Sequence, residues 1–424
     1  MPFMPFSILG MWFRGLLAIA VLGLSIYLLR EWYERATTVR EPIPVTDANS
    51  DMRPDAGTGR APQFARTRSV PVSDWRPGLD RTTAMLAGGL ALLGLSLGGG
   101  SFGYPLLRRL GTDEPKSERG GRVERLKRPD GSELHVELYG PGDGPTIVLT
   151  HGWGANATEW YYLKKQLGNR FRLIAWDLPG LGLSKRPDNN DYSLDKMARD
   201  LDAVVALTGN APVVLLGHSI GGMISLTYCR LFPESIGRKV SGLVLVHTTP
   251  TNPVRTTKNA GLYTALQKPL IEPLLHLTIW LSPLVWAMNW MSYLNGSAHR
   301  STAKESFAGT ETRGQLDFAT RFMPHASPAV LARGMFGMLA YDASATLKSI
   351  DVPVLIVPGD IDGTTTPEAS DWMDKDIPKS RLEALSPAKH MGLLEHNDRF
   401  SQLVGDFVSS CSPSSHPGVA GRPA

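Results

Sequence analysis

Apolar positions fall into two regimes along the 424 residues, long uncharged runs near the N-terminus and short ones spaced by helical stretches after it. Residues 15–29, GLLAIAVLGLSIYLL, carry no charge and lie between Arg14 and Arg30, after the apolar stretch MPFMPFSILGMWF. That run alone falls short of the roughly 20 residues a bilayer requires. Extended back to Ile8, with Arg14 snorkelling towards the headgroups and Trp12, Trp32 and Tyr33 near the interfaces, it reaches that length. No convincing small-x-small cleavage site follows the run before REWYER, so residues 1–30 are expected to be an uncleaved anchor rather than a signal peptide. Thr82–Leu107 is a second uncharged run, bounded by Arg81 and by Arg108 and Arg109. Its glycines disfavour a helix in water but are tolerated in membranes, so a second span over 82–107 is expected, with a Gly-rich linker as the alternative. Residues 31–81 are rich in Pro, Arg, Thr and Asp and show no period, which predicts a largely irregular segment. Two spans would put the N-terminus and everything after residue 108 on one side of the membrane, and the charge pattern does not say which.

After a polar linker over 108–121 the pattern changes. RVERLKR, a Pro-Asp-Gly turn and SELHVELYG read as a hairpin. PTIVLTHG, FRLIAWD, PVVLLGHS, SGLVLVHT and VPVLIVPGD then recur as short runs continuous in Val, Leu and Ile, the mark of strands buried on both faces. With helical stretches between them they predict an α/β architecture, a doubly wound and mostly parallel sheet over 122–250 and 352–410. Residues 251–351 interrupt it and are expected to form a helical cap. Within them PLIEPLLHLTIWLSPLVWAMNWMSYL, with Trp280, Trp286, Trp290 and Tyr293, is apolar nearly all round. It suits the ceiling of an acyl-chain tunnel, a surface lying on a membrane, or plain packing on the core. Residues 411–424 are expected to be a disordered tail.

Charge and cysteine content narrow the classes. The net charge is +4, with basic residues interleaved with acidic ones, so no nucleic-acid partner is expected. Cys229 and Cys411 have neither disulfide-framework nor zinc-site spacing, and no metal or cofactor is expected.

The unusual residues cluster where the strands end, the usual place for a site in such sheets. Gly217-His218-Ser219-Ile220-Gly221 lies between a buried strand and the helical MISLTYCRLF, a context in which the serine hydroxyl is held out on a sharp turn. Serine needs a base, normally a histidine oriented by a carboxylate. Asp362, just past VPVLIVPGD, and His390, in SPAKH, follow Ser219 in the order acid then base. Asp360 is the competing acid, more suited to structural hydrogen bonds. His396 competes as base but reads as a surface histidine on the helix EHNDRFSQLVGDFV. His218 should project away from the hydroxyl, and His151 should brace its own loop. Oxyanion donors are expected from the backbone N–H groups of Ile220 and Trp153, the Trp153 side chain either packing or lining the acyl pocket.

These residues resemble the α/β-hydrolase superfamily over about 122–410. HGWG looks like its oxyanion loop, DLPGLGLS like its Asp-x-x-Gly-x-Gly-x-Ser loop, and GHSIGG like its nucleophile elbow. GDIDGTTTP resembles its acid loop, and AKHMGLLEHNDRF its histidine loop and following helix. Serine at 219 separates the chain from the haloalkane dehalogenase and epoxide hydrolase branches, whose nucleophile is aspartate. An anchor ahead of such a core is similar in layout to membrane-bound monoacylglycerol lipases. The resemblance implies an α/β-hydrolase fold with an inserted cap behind membrane-spanning helices, and a membrane-associated serine esterase or lipase acting on lipophilic acyl esters, with membrane lipid as its surroundings. Carbon–carbon hydrolysis or cofactor-free perhydrolysis on the same triad is the alternative chemistry. A tethered binding protein without turnover is the alternative class, but it would be expected to lack a triad member, and none is lacking.

Overall fold

The computed structural model describes residues 5–43, 66–71, 77–78, 80–103 and 108–411. Most of 44–80, and the tail expected over 412–424, lie outside the described residues.

The chain begins with α1 (Pro5–Thr37), then β1 (Thr38–Ile43) and β2 (Arg66–Pro71), then α2 (Arg81–Gly103). Gly10–Thr37 and Arg81–Ser101 are each long and apolar enough to cross a membrane. At 1.5 Å per residue, 28 and 21 residues reach about 42 and 32 Å, against about 30 Å of hydrocarbon. The helices are antiparallel neighbours. The Ser25 hydroxyl donates to the Gly89 carbonyl at 2.9 Å, and a Cβ on Gly89 would sit 2.8 Å from Leu29, so only glycine allows that approach. Two expectations are corrected. α1 does not stop at Arg30 but continues for two turns, helped by the Arg30–Glu34 and Arg35–Glu31 pairs one turn apart. The segment expected to be irregular contains β1 and β2, which pair antiparallel from Thr38–Pro71 to Ile43–Arg66.

The linker is not loose. Arg108 pairs with Glu311 at 2.6 Å, Arg119 bridges Glu137 (2.7 Å) and Asp177 (3.0 Å), and the Arg313 N–H donates to the Arg109 carbonyl.

Beyond it come β3 (Arg122–Lys127), β4 (Glu133–Tyr139), β5 (Thr146–Thr150), α3 (Tyr161–Leu167), β6 (Arg172–Trp176), α4 (Leu194–Ala206), β7 (Val213–His218), α5 (Ile220–Leu231) and β8 (Val240–Val246). The cap helices are α6 (Ala260–Leu266), α7 (Glu272–Trp280), α8 (Ser282–Leu294), α9 (Ser297–Ser306), α10 (Arg313–His325) and α11 (Pro328–Leu339). β9 (Val354–Val357), α12 (Pro367–Asp376), β10 (Ser380–Leu382), α13 (Gly392–Glu395) and α14 (Asn397–Cys411) complete the chain. The eight strands of the main sheet run in the order β10-β9-β8-β7-β5-β6-β4-β3, antiparallel only at β3–β4 and β4–β6. Alternate residues feed two cores: Val148, Leu215 and Leu243 join α4 and α5 on one face, while Leu149, Leu216 and Val244 join α3 and α14 on the other. Burial on both faces is why these strands are continuously apolar. His396, read as a helix residue, lies in the break between α13 and α14, its Nε2 2.8 Å from the Pro387 carbonyl.

The two ends of the cap insertion meet where Thr251 bridges Asp342. α7 and α8 meet at 94°, and α8 is docked on both N-terminal helices. A Cβ on Gly15 would lie 2.5 Å from Met288, and one on Gly100 would lie 2.9 Å from the Leu294 carbonyl.

Candidate active site

At the end of β7 the chain turns through Ser219, with φ 54°, directly into α5. A side chain on Gly217 would stand 2.2 Å from the Gly221 carbonyl carbon, and one on Gly221 would stand 2.2 Å from the Thr150 carbonyl oxygen. Glycine at both positions is therefore what lets strand and helix come this close, and the serine between them carries the backbone strain. Its carbonyl accepts from the Thr248 hydroxyl at 2.6 Å, which ties the turn to the end of β8.

His390 and Asp362 converge on Ser219 from loops after β10 and β9. The Ser219 hydroxyl donates to His390 Nε2 at 3.0 Å, and His390 Nδ1 donates to Asp362 Oδ2 at 2.7 Å. All three are buried. Burial alone would push the Asp362 carboxyl up. The charge and hydrogen bond of His390, the nearby His247 and the Thr364 N–H more than reverse this and hold it at about 2, so it stays ionised. The His390 imidazole is held below its ordinary value by burial, against the pull of Asp362, so its neutral form persists to lower pH. Asp360 is turned away and accepts from the Ser386 hydroxyl (2.6 Å) and the Ala388 N–H (2.8 Å).

The HGWG loop lies opposite. The Trp153 and Ile220 N–H groups meet no acceptor among the described residues; Trp153 lines the space beside Ser219 that an oxyanion would enter, and Ile220 opens α5 directly after the serine. The Trp153 indole N–H donates to the Leu331 carbonyl of α11 at 3.0 Å, fastening cap to core. His151, neutral through burial, donates to the Gly152 carbonyl and accepts from the Leu178 N–H at 3.0 Å. Asp177 of DLPGLGLS accepts from the Ala157 and Leu183 N–H groups, each at 2.7 Å, and so shapes that loop.

Two polar residues that sequence reading passed over complete the arrangement. Glu159 is buried; it accepts the Gly152 N–H at 2.9 Å, and its other oxygen lies 3.0 Å from His218 Nδ1. His218 Nε2 in turn donates to the His390 carbonyl at 3.1 Å, so one chain of contacts links the HGWG loop to the histidine loop. His247, at the end of β8, has φ 44° and is 3.6 Å from Asp362, with neither ring nitrogen hydrogen-bonded. Its one sequence signal is its position at a strand's carboxyl end. Burial pushes its imidazole down to about 3, against the pull of Asp362. In the unfolded chain it would protonate near 6.5, so the folded state loses stability as pH falls below that value. The loss expected from this residue between pH 6.5 and 5 is about 2 kcal/mol. Urea midpoints at pH 7.5 and 5.0 should therefore lie closer together in His247→Asn, asparagine tolerating the left-handed backbone. An unchanged difference would mean that His247 does not carry the acid sensitivity.

The sequence profile described as alpha/beta hydrolase fold matches residues 145–267, from β5 into the cap. The chain has the α/β-hydrolase fold. A pimeloyl-[acyl-carrier protein] methyl ester esterase of Nitrosomonas europaea is 27% identical over 278 residues, covering 63% of this chain and 97% of that one. Among solved structures, an esterase from Exiguobacterium antarcticum superposes with TM-score 0.56 at 24% identity, over 68% of this hydrolase and all of the esterase. A bromoperoxidase from Bacillus anthracis gives 0.57 at 21% identity, again over 68% and 100%. At these identities the superpositions speak for the fold.

The hydrolase's pocket over Ser219 has a volume of about 90 Å³ and is walled by Ala298 and Thr302 of α9, Phe322 and Met323 of α10, and Leu331 of α11. None of the residues lining it comes from the apolar segment of α7 and α8. That segment packs on α1 and α11 and turns Trp280 (77% exposed) and Trp286 (48%) outward, which corrects the tunnel-ceiling expectation. Another part of the wall is Met11 and Arg14 of α1. Arg14 thus lines the pocket instead of reaching away along the helix, because the contact of Gly15 with Met288 seats that turn of α1 on the cap.

Proposed function

We propose that this α/β hydrolase is a membrane-associated serine hydrolase that cleaves carboxylic esters through an acyl-enzyme on Ser219. The observation that carries the reading is the unbroken line of contacts from the Ser219 hydroxyl through His390 to Asp362, at 3.0 and 2.7 Å. His390 Nε2 takes the hydroxyl proton as Ser219 attacks the acyl carbonyl, and Asp362 balances the imidazolium. The Trp153 and Ile220 N–H groups stabilise the oxyanion. His390 returns the proton to the departing alcohol, and water, activated by the same imidazole, releases the acid. The methyl ester esterase named for the Nitrosomonas relative supports an ester as substrate.

Pocket size bears on the ester. A volume of about 90 Å³ corresponds to roughly six to nine water-sized occupants, enough for the ester group and a few carbons. A lipophilic substrate would extend its remainder past Arg14, beside the two apolar helices, which in this reading span the membrane and keep the enzyme in contact with lipid.

A panel of p-nitrophenyl esters of increasing acyl length, run on detergent-extracted protein, tests the proposal. The expected result is turnover of these esters, together with fluorophosphonate labelling at Ser219. Absence of both hydrolysis and labelling would end the esterase reading. Release from the membrane pellet by alkaline carbonate, without detergent, would end the membrane reading alone.

A further inference from the structure

A second and larger cavity adjoins the first. It has a volume of about 910 Å³, lies between α1, α2 and the cap helix α9, and is separated from the pocket over Ser219 by Arg14, which lines both. One wall is apolar: Leu17, Ala18 and Val21 of α1 face Leu95 of α2. The opposite wall is basic, formed by Arg300 and Lys304 on α9 and Lys389 beside the catalytic loop, with Arg108 at the edge.

The charges are unbalanced. None of the residues lining the cavity is acidic. Arg108 is held by Glu311, which lies outside the cavity. Lys389 donates to the Lys304 carbonyl at 2.6 Å, and no ion pair is made by Arg14, Arg300, Lys304 or Lys389 among the described residues. Arg14 Nε is buried without a hydrogen bond. Arg300 and Lys304 stand one turn apart on α9, where their like charges repel. Glu305, the adjacent acid, lines the pocket over Ser219 instead.

The cavity's height along the helix pair supplies the second argument. Arg14 precedes the uncharged run of α1 and Arg108 follows that of α2, so in an antiparallel pair both mark the same membrane boundary. An apolar trough that runs towards the hydrocarbon from a ring of cations at that boundary has the polarity of a phospholipid, with its phosphate at the ring and its chains along the trough.

We propose that this cavity binds an anionic glycerophospholipid, whose phosphate is held by Arg300, Lys304 and Lys389 and whose acyl chains lie along α1 and α2. The proposal rests on the reading of these helices as spans, and it sets a lipid headgroup against Arg14, at the threshold of the catalytic pocket.

The full chain in detergent, offered equal amounts of phosphatidylglycerol and phosphatidylcholine, is examined by native mass spectrometry. Phosphatidylglycerol adducts are expected to exceed phosphatidylcholine adducts by about fivefold or more. The preference should vanish in Arg300→Glu with Lys304→Glu, both exposed positions, and persist in the charge-keeping Arg300→Lys with Lys304→Arg. Equal binding of the two lipids, a preference that survives charge reversal, or one lost in the charge-keeping variant would overturn the site. So would complete displacement of the lipid by millimolar inorganic phosphate, which would mark a bare anion site. Carbonate extraction of the protein would instead remove the membrane reading beneath it, so the two failures are told apart.

Discussion

Ser219→Ala is expected to lower kcat on a short acyl ester by about 10⁵- to 10⁶-fold, leaving a residue of activity above the uncatalysed rate. That factor corresponds to about 7–8 kcal/mol of activation free energy, about what loss of His390 should also cost and more than loss of Asp362. The hydroxyl is the atom that would form the acyl-enzyme, and it lies 3.0 Å from His390 Nε2, the base that would take its proton. What survives is binding and the N–H groups of Trp153 and Ile220. The variant should fold as the parent does. The turn depends on Gly217 and Gly221 and on the Thr248 hydroxyl meeting the residue 219 carbonyl, none of which needs the serine hydroxyl. Thermal melting would check this, with fluorophosphonate labelling as the second readout. If Ser219→Ala kept more than about a thousandth of the parent's kcat, another nucleophile would have to be at work.

The parts of this molecule that were legible in its sequence are those whose cause is local. A parallel strand buried on both faces must be apolar at every position, so PTIVLTHG and PVVLLGHS announce themselves. A sharp turn between strand and helix needs small residues on either side, so Gly217 and Gly221 mark Ser219 before any partner is known. Ser219, Asp362 and His390 could be named together because chain order limits the candidates. Glu159 and His247 could not. Glu159 meets His218, and His247 lies against Asp362, contacts made between segments far apart in the chain. Arg14 was misread for a related reason. Flanking an apolar run, it has the sequence signature of a snorkelling residue, and only the docking of α1 on α8 brings it over the pocket. The apolar segment of α7 and α8 was ambiguous because two demands, packing on α1 and facing outward, both favour apolar residues and erase the helical period that would have separated them.

Asp362→Asn should cost about 10⁴-fold in kcat, whereas Asp360→Asn should stay within about tenfold of the parent. Both acids are on one loop and two residues apart, so the comparison isolates role from location. The Asp362 oxygens accept from the Thr364 N–H (2.7 Å), the Thr365 hydroxyl (2.9 Å) and His390 Nδ1 (2.7 Å). An asparagine that kept the Thr364 bond would place its amide NH₂ where Oδ2 was, facing His390. Nδ1 would then have to accept, and the ring proton would move to Nε2, pointing at the Ser219 hydroxyl that it should be receiving from. The geometry would survive with the wrong tautomer, so KM should change far less than kcat. Asp362 is ionised down to about pH 2, so the loss should persist across the neutral range, and no acidification should restore it. Asp360, by contrast, holds Ser386 and Ala388 and reaches His390 only through the loop that carries it. Its amide variant should loosen that loop and lower thermal stability modestly. Should Asp360→Asn prove the more damaging of the two to kcat, the acid would have been assigned to the wrong residue, and the 2.7 Å contact between His390 and Asp362 would be structural rather than catalytic.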